Sequence, residues 1–113
     1  MHEFLTWLYG RSARNNHIRM MAQKAIVLLR KNQSMEYQQL CRELGIAFDK
    51  YQKPKRTFYF VVNPLKKVQL IQEKRIPDEQ DTNKYKTHYL LTPDRFRGYM
   101  DKTIDDFHTS VKA

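Results

Sequence analysis

The segment 56–71 constrains the fold more than any other, because a helical apolar stripe in its first half leads into a strand pattern in its second. The stripe has the i, i+3, i+4, i+7 spacing of a buried helix face: Phe58, Val61, Val62 and Leu65. Pro64 lacks an N–H and crowds the carbonyl four residues back, so the helix must bend there or end soon afterwards. We therefore predict an amphipathic helix over about 55–67, with Pro54 at its first turn, followed by a strand over 69–76.

The chain before this segment contains two further helix patterns. An apolar stripe predicts a helix over 17–31. A second helix is predicted to begin with Ser34 as its N-cap and to end at Gly45, since glycine favours helix termination. The apolar segment 3–9 is either a helical turn or two that docks on the body, or a segment that a partner subunit completes.

The chain after the segment predicts a second strand and a last helix. Apolar and polar residues alternate over 85–91, and the turn-rich loop 77–84 lies between the two strand patterns. The pair therefore predicts an antiparallel hairpin with a long tip. Thr92 as N-cap, with Pro93 at the first helical position, begins a C-terminal helix over 93–110.

The length of 113 residues fits a single domain, 1–113, in which 1–14 is an N-terminal extension. No apolar run approaches the ~18 residues that a membrane span needs, and the start of the chain lacks the basic region of a signal peptide. We therefore expect a cytoplasmic protein that does not enter a membrane. Cys41 is the one cysteine, so neither an internal disulfide nor a thiolate metal cluster is expected, and no cofactor is predicted.

The charge is strongly basic and unevenly distributed. The chain has 21 Lys and Arg against 12 Asp and Glu, a net charge of +9. Ten basic and four acidic residues lie between positions 50 and 86, whereas the residues from 93 onward are balanced. A basic middle is typical of a surface that binds phosphates and releases their counterions. A solvated surface that keeps the protein soluble would have the same charge.

Three segments carry a resemblance to a known superfamily. Residues 36–46, EYQQLCRELGI, are similar to the first helix and turn of a helix-turn-helix; residues 65–71, LKKVQLI, to the end of a recognition helix; and residues 89–93, YLLTP, to the close of a wing. Together they resemble winged helix-turn-helix regulators of the MarR, PadR and ArsR-like kinds, many of them archaeal.

This resemblance implies an α+β fold with a three-helix core, a β-hairpin wing and an additional C-terminal helix. Two features depart from the superfamily pattern. The connection 47–55 is longer than the usual tight turn. Gln69 stands where such proteins have glycine, so a non-glycine residue is expected in a left-handed conformation.

The resemblance also implies function: sequence-specific binding of double-stranded DNA by a transcriptional regulator, with the helix 55–67 in the major groove. The implied base contacts are the exposed residues of that helix, namely Arg56, Thr57, Tyr59, Phe60 and Asn63. The implied contacts to the DNA backbone are basic residues around it: Lys53, Lys55, Lys66, Lys67, Lys74, Arg75, Lys84 and Lys86. Asp78, Glu79 and Asp81 would repel phosphates, so the strands' basic flanks rather than the tip are expected to approach DNA.

The apolar stripe of the last helix needs burial, either against the body of the monomer or in a homodimer. Two-fold symmetric regulators bind palindromic half-sites, so we expect a homodimer. Its predicted interface consists of Phe96, Met100, Ile104 and Phe107.

A second hypothesis is a winged-helix module that binds protein within the transcription or replication machinery. The acidic tip and the aromatic residues Tyr59 and Phe60 favour this hypothesis. An enzyme is not expected, because the sequence contains no glycine-rich phosphate loop, no paired nucleophile and base, and no metal-ligand spacing.

Overall fold

The computed structural model describes residues 1–51, 53–81 and 83–112. Gln52, Thr82 and Ala113 lie outside the described residues, so the predicted loops 47–55 and 77–84 each contain one such position and the predicted domain 1–113 contains all three. The described chain has an α+β fold with five α-helices and three antiparallel strands. In chain order the elements are α1 His2–Tyr9, a 3-10 turn Ala13–Asn15, α2 Asn16–Asn32, β1 Ser34–Glu36, α3 Tyr37–Glu43, α4 Thr57–Lys67, β2 Ile71–Pro77, β3 Tyr85–Leu91 and α5 Pro93–Lys112.

The sheet has the strand order β1-β3-β2, and both pairings are antiparallel. The predicted antiparallel hairpin is confirmed, with Glu73 opposite Tyr89 in its register. Its first strand begins at Ile71 rather than at Gln69, which lies in the turn after α4. The prediction of Ser34 as a helix N-cap is wrong, because Ser34 begins β1 and pairs with Leu90. The carboxylate of Glu36 caps α3 instead, by accepting the N–H of Gln39. A three-residue strand is too short to show periodicity, so the sequence pattern could not reveal it.

One apolar core holds α2, α3, α4 and the inner face of the sheet together. The predicted stripe of α4 is buried in full: Phe58, Val61, Val62 and Leu65 are each at most 1% exposed. The ring of Phe58 packs edge-on against Tyr89 of β3, with 5.7 Å between ring centroids. This contact places α4 on the sheet face that carries Tyr89 and Glu73, since residues directly opposite each other on paired strands share a face.

Pro64 lies inside α4, one turn before its end at Lys67. Because Pro64 has no N–H, the carbonyl of Phe60 lacks its usual helical donor. The hydroxyl of Tyr9 donates to the neighbouring carbonyl of Val61, and burial raises the pKa of that hydroxyl. The N-terminal segment therefore docks on the body at the point where the proline interrupts the helix, which is the first of the two alternatives that the sequence left open.

The ends of α3 and α4 have the same backbone form. After α3, Gly45 adopts φ +73° and the N–H of Ile46 donates to the carbonyl of Cys41 at 2.9 Å. After α4, Gln69 adopts φ +63° and the N–H of Leu70 donates to the carbonyl of Leu65 at 3.0 Å. Both are Schellman ends, in which glycine is the usual residue at the left-handed position. The expected left-handed conformation of Gln69 is confirmed.

Replacing Gln69 with glycine is expected to raise the free energy of unfolding by about 1 kcal/mol. A residue with a side chain costs ~1–2 kcal/mol in the left-handed conformation, and glycine removes this cost. Part of the gain is offset because glycine has more conformational entropy in the unfolded chain. The midpoint of thermal unfolding should rise by about 4 °C. Gln23→Gly, at an exposed position within α2, is the matched control and should cost about 1 kcal/mol. If Gln69→Gly destabilised the protein as much as the control, the left-handed turn would be contradicted.

The C-terminal helix α5 extends away from the body. None of its residues from Pro93 to Lys112 is buried, although Phe96 packs edge-on against Phe4 of α1 at 5.3 Å. The radius of gyration is 16.0 Å, whereas a compact domain of this length would have about 13 Å. Within the described residues, no helix has both the length and the apolar character needed to cross a membrane.

Candidate nucleic-acid interface

The outward face of α4 is a stripe of polar, basic and aromatic side chains. Arg56 precedes the helix, and the exposed residues then recur at helical spacing: Tyr59, Phe60, Asn63 and Lys67. We call these five residues the α4 face. Helix α4 contains no acidic residue, so nothing within the helix repels a phosphate. The large aromatic side chains of this face, Tyr59 at 44% and Phe60 at 55% exposure, are not needed for the core.

The predicted base contacts therefore lie on one surface, with one exception. Arg56, Tyr59, Phe60 and Asn63 are all exposed, whereas Thr57 is half-buried. Thr57 lies about 120° around the helix from Asn63, because six residues correspond to about 600° of rotation. Its side chain is therefore off the exposed stripe. The structure thus brings four of the five predicted residues together.

The loop between α3 and α4 is a small hairpin. The N–H of Asp49 donates to the carbonyl of Lys53 at 2.8 Å, the N–H of Lys55 donates to the carbonyl of Ala47 at 3.0 Å, and Phe48 and Pro54 form an antiparallel bridge between them. We call residues 47–55 the loop hairpin. The prediction that Pro54 occupies the first turn of the helix is wrong, because the bridge holds it and α4 begins at Thr57.

A carboxylate organises the turn of the loop hairpin. The Oδ1 atom of Asp49 accepts the N–H groups of Tyr51 at 2.8 Å and Lys53 at 3.0 Å. Aspartate commonly stabilises turns through such local bonds to the following backbone. The aspartate at the start of a polar run was the sequence signal for this turn, and the sequence alone predicts only a long connection there.

An ion pair fixes the strand pair against α4. The Nζ of Lys66 lies 2.6 Å from Oε1 of Glu73, and the hydroxyl of Tyr89 donates to the same oxygen at 3.0 Å. The hydrogen bond from Lys66 lowers the pKa of Glu73, with a smaller contribution from Tyr89. Burial and the charge of Glu73 raise the pKa of Tyr89. Lys66 is therefore engaged within the protein, whereas Lys67 next to it is exposed.

The other basic residues that are predicted to contact the DNA backbone lie on different surfaces of the protein. Lys53 and Lys55 are exposed on the loop hairpin beside the start of α4. On the strands, Arg75 shares the sheet face of Glu73 and hence the α4 side, whereas Lys74 and Lys86 lie on the opposite face. Lys86 is also 4.0 Å from a carboxylate oxygen of Asp78 in the hairpin tip. Lys84 is exposed at the end of that tip.

A groove of about 360 Å³ lies between these elements. Its lining includes Lys53 and Pro54 of the loop hairpin, Tyr59 of α4 and Thr87 of β3. The loop hairpin and the strand pair therefore flank α4 at its N-terminal end.

The sequence was compared with protein-family models and with curated proteins, and the structure was compared with solved structures. None of the three comparisons found a match.

The groups needed for metal or thiol chemistry are not assembled. Among the described residues, no three His, Cys, Asp or Glu side chains lie together as a metal site would require. Cys41 is buried at 0% exposure. Burial, reinforced by the charge of Glu36, raises its pKa to about 12, so the thiol stays protonated and unreactive at neutral pH.

The predicted dimer residues divide along α5. Phe96 and Met100 are half-buried near the body. Ile104 and Phe107 are 56% and 68% exposed, and Val111 extends the same stripe at 63% exposure. The outer half of the stripe therefore covers nothing within the monomer.

Proposed function

We propose that the protein is a winged helix-turn-helix protein that binds double-stranded DNA as a dimeric transcriptional regulator, with α4 as its recognition helix. The element order supports the fold assignment. Helices α2, α3 and α4 supply a three-helix core, and β1 joins the β2–β3 hairpin in one sheet. The three-helix core and the hairpin are parts that the sequence resemblance implies, whereas β1 is not.

The observation that carries the proposal is the α4 face. Its residues combine side chains that suit each kind of contact in the major groove: a guanidinium for guanine, an amide for adenine, aromatic rings for the thymine methyl, and an ammonium for a phosphate. All five are exposed, on a helix whose opposite stripe is entirely buried. The side chains are therefore presented by a rigid element, as sequence readout requires.

Dimerisation through α5 completes the proposal. The exposed stripe of Ile104, Phe107 and Val111 follows the 3–4 spacing of a helix that packs against another helix. The first half of α5 carries three basic and two acidic residues, and the second half carries two acidic and one basic. Opposite net charges at the two ends favour an antiparallel pair of α5 helices, which a two-fold axis generates.

The proposal describes a binding protein without a cofactor, not an enzyme. The one thiol is buried with a raised pKa, and the groove beside α4 contains Glu73 as an ion-paired carboxylate. These groups stabilise the protein, which accounts for them without a catalytic role.

Removing two positive charges from the α4 face tests the proposal. Arg56→Gln/Lys67→Gln is expected to weaken binding to a labelled random duplex by about 10-fold or more at low salt. A random duplex offers Arg56 no fixed guanine, so both cations neutralise phosphates there, and each such contact releases about 0.9 counterion. The measurement is fluorescence anisotropy. Lys24→Gln/Lys31→Gln is the matched control, since these residues lie on the exposed side of α2, opposite its buried stripe. Equal losses in the two variants would show that only the net charge matters.

A second candidate is a protein-binding module, which the exposure of Tyr59 and Phe60 favours. In that case the Arg56→Gln/Lys67→Gln variant would retain its partner, and the wild-type protein would not bind duplex DNA at low salt.

A further inference from the structure

The loop hairpin and the β2–β3 hairpin project beside the same helix but differ in charge. Segment 47–55 contains Lys50, Lys53 and Lys55 against one acid. The tip 77–84 contains three acids against one base. Near a phosphate backbone, the basic loop hairpin would be attracted and the acidic tip would be repelled.

The basic side chains of the loop hairpin are available to bind a ligand. Lys50, Lys53 and Lys55 are all exposed, and none of the ion pairs among the described residues involves them. The single acid of the segment, Asp49, uses Oδ1 to hold two backbone N–H groups of the turn. Its carboxylate therefore holds the turn of the loop, and the three lysine residues remain exposed.

Tyr51 supports one of these cations. The Nζ of Lys50 lies 5.1 Å from the centroid of the Tyr51 ring, within the range of a cation–π contact. Tyr51 is 71% exposed, so its ring contributes little to the core. The pair limits the freedom of a long side chain at the hairpin's turn, and this reduces the entropy lost when the ammonium binds a phosphate.

The β2–β3 hairpin has no excess positive charge. Between Ile71 and Leu91, four basic residues are balanced by four acidic ones: Lys74, Arg75, Lys84 and Lys86 against Glu73, Asp78, Glu79 and Asp81. Lys86 also lies 4.0 Å from Asp78 at the tip. The loop hairpin is also joined directly to α4, because the N–H of Phe58 donates to the carbonyl of Lys55 at 3.0 Å. The end of the loop hairpin is therefore joined to the first turn of α4.

We infer that the loop hairpin, rather than the β2–β3 tip, is the second DNA-binding element of this protein, and that Lys50 and Lys53 contact the phosphates that flank the groove occupied by α4. The inference rests on the proposed function and deepens it. It gives a role to the hydrogen bonds and the Phe48–Pro54 bridge that join the two sides of this connection. The β2–β3 tip, with its three acids, is then held away from the duplex.

The test measures random-duplex binding by anisotropy over a range of salt concentrations for two charge-removal variants of the full chain. Lys50→Gln/Lys53→Gln is expected to weaken binding by about 10-fold at low salt. It should also reduce the steepness of log K against log salt by about 2, because each of the two lost phosphate contacts contributes about 0.9. Lys84→Gln/Lys86→Gln should reduce this slope by less than half as much as Lys50→Gln/Lys53→Gln does. Lys50→Arg/Lys53→Arg retains the charge and should restore both quantities.

The control is again Lys24→Gln/Lys31→Gln, and an unchanged circular dichroism spectrum shows that each variant is folded. The inference is overturned if Lys84→Gln/Lys86→Gln weakens binding as much as, or more than, Lys50→Gln/Lys53→Gln. It is also overturned if Lys50→Gln/Lys53→Gln binds as tightly as the control variant. In both cases the wild type still binds, so the proposed function survives. If the wild type does not bind duplex DNA at all, the proposed function fails and the inference fails with it.

Discussion

Replacing Phe58 with alanine is expected to lower the free energy of unfolding by about 3–5 kcal/mol, the cost of a cavity left by a buried aromatic ring. Phe58 is 1% exposed, and its ring packs edge-on against both Tyr59 and Tyr89 at 5.5 and 5.7 Å. Small domains have only about 5–15 kcal/mol of stability. The variant should therefore show a much lower midpoint in urea unfolding, or be unfolded at 37 °C.

Phe60→Ala is the matched control for this prediction. The two phenylalanines are two residues apart on α4, but Phe60 is 55% exposed. Truncation of an exposed side chain usually changes stability by less than about 0.5 kcal/mol. Similar losses for Phe58→Ala and Phe60→Ala would contradict the orientation of α4, and with it the exposed position of the α4 face.

The second prediction concerns dimerisation. Phe107→Asp is expected to raise the dissociation constant of the proposed dimer by about 100-fold or more, because it removes a ring worth ~1.5–3 kcal/mol of burial from each protomer and puts a charge in its place. Phe107 is 68% exposed in the monomer. The substitution should therefore leave the unfolding of the monomer unchanged, which separates the loss of an interface from the loss of the fold.

Thr109→Asp introduces the same charge two residues later on the exposed side of α5, away from the apolar stripe. Sedimentation equilibrium should give a dimer for the wild type and for Thr109→Asp, and a monomer for Phe107→Asp. A wild type that is monomeric at every concentration measured would contradict the proposed dimer. Equal dissociation by both variants would place the interface elsewhere than on the stripe.

The sequence predicted those parts of the fold that depend on long, regular patterns. The stripe of α4, the 17-residue helix α2 and the strand Tyr85–Leu91 all have apolar residues at the period of their element. Turn chemistry was equally informative at Gly45, which ends α3 in the left-handed conformation. The left-handed conformation of Gln69 was expected only from the resemblance, because similar regulators have glycine at this position.

Features that depend on distant partners were not predictable. β1 exists because β3 lies beside it, and its three residues carry no period of their own. The loop hairpin depends on the bridge between Phe48 and Pro54 across the turn that Asp49 organises. The pairing of Lys66 with Glu73 joins residues seven apart on different elements, so a count of basic residues overestimated the charge left for a ligand.

The salt dependence of duplex binding tests the central claim most directly. The measurement is the anisotropy of a labelled random duplex titrated with the wild-type protein at several salt concentrations between about 50 and 200 mM. The α4 face and the loop hairpin together supply at least four exposed cations, Lys50, Lys53, Arg56 and Lys67, so log K should fall against log salt with a slope of about −4. A flat dependence, or no binding at the lowest salt concentration, would contradict the proposal that this protein binds DNA.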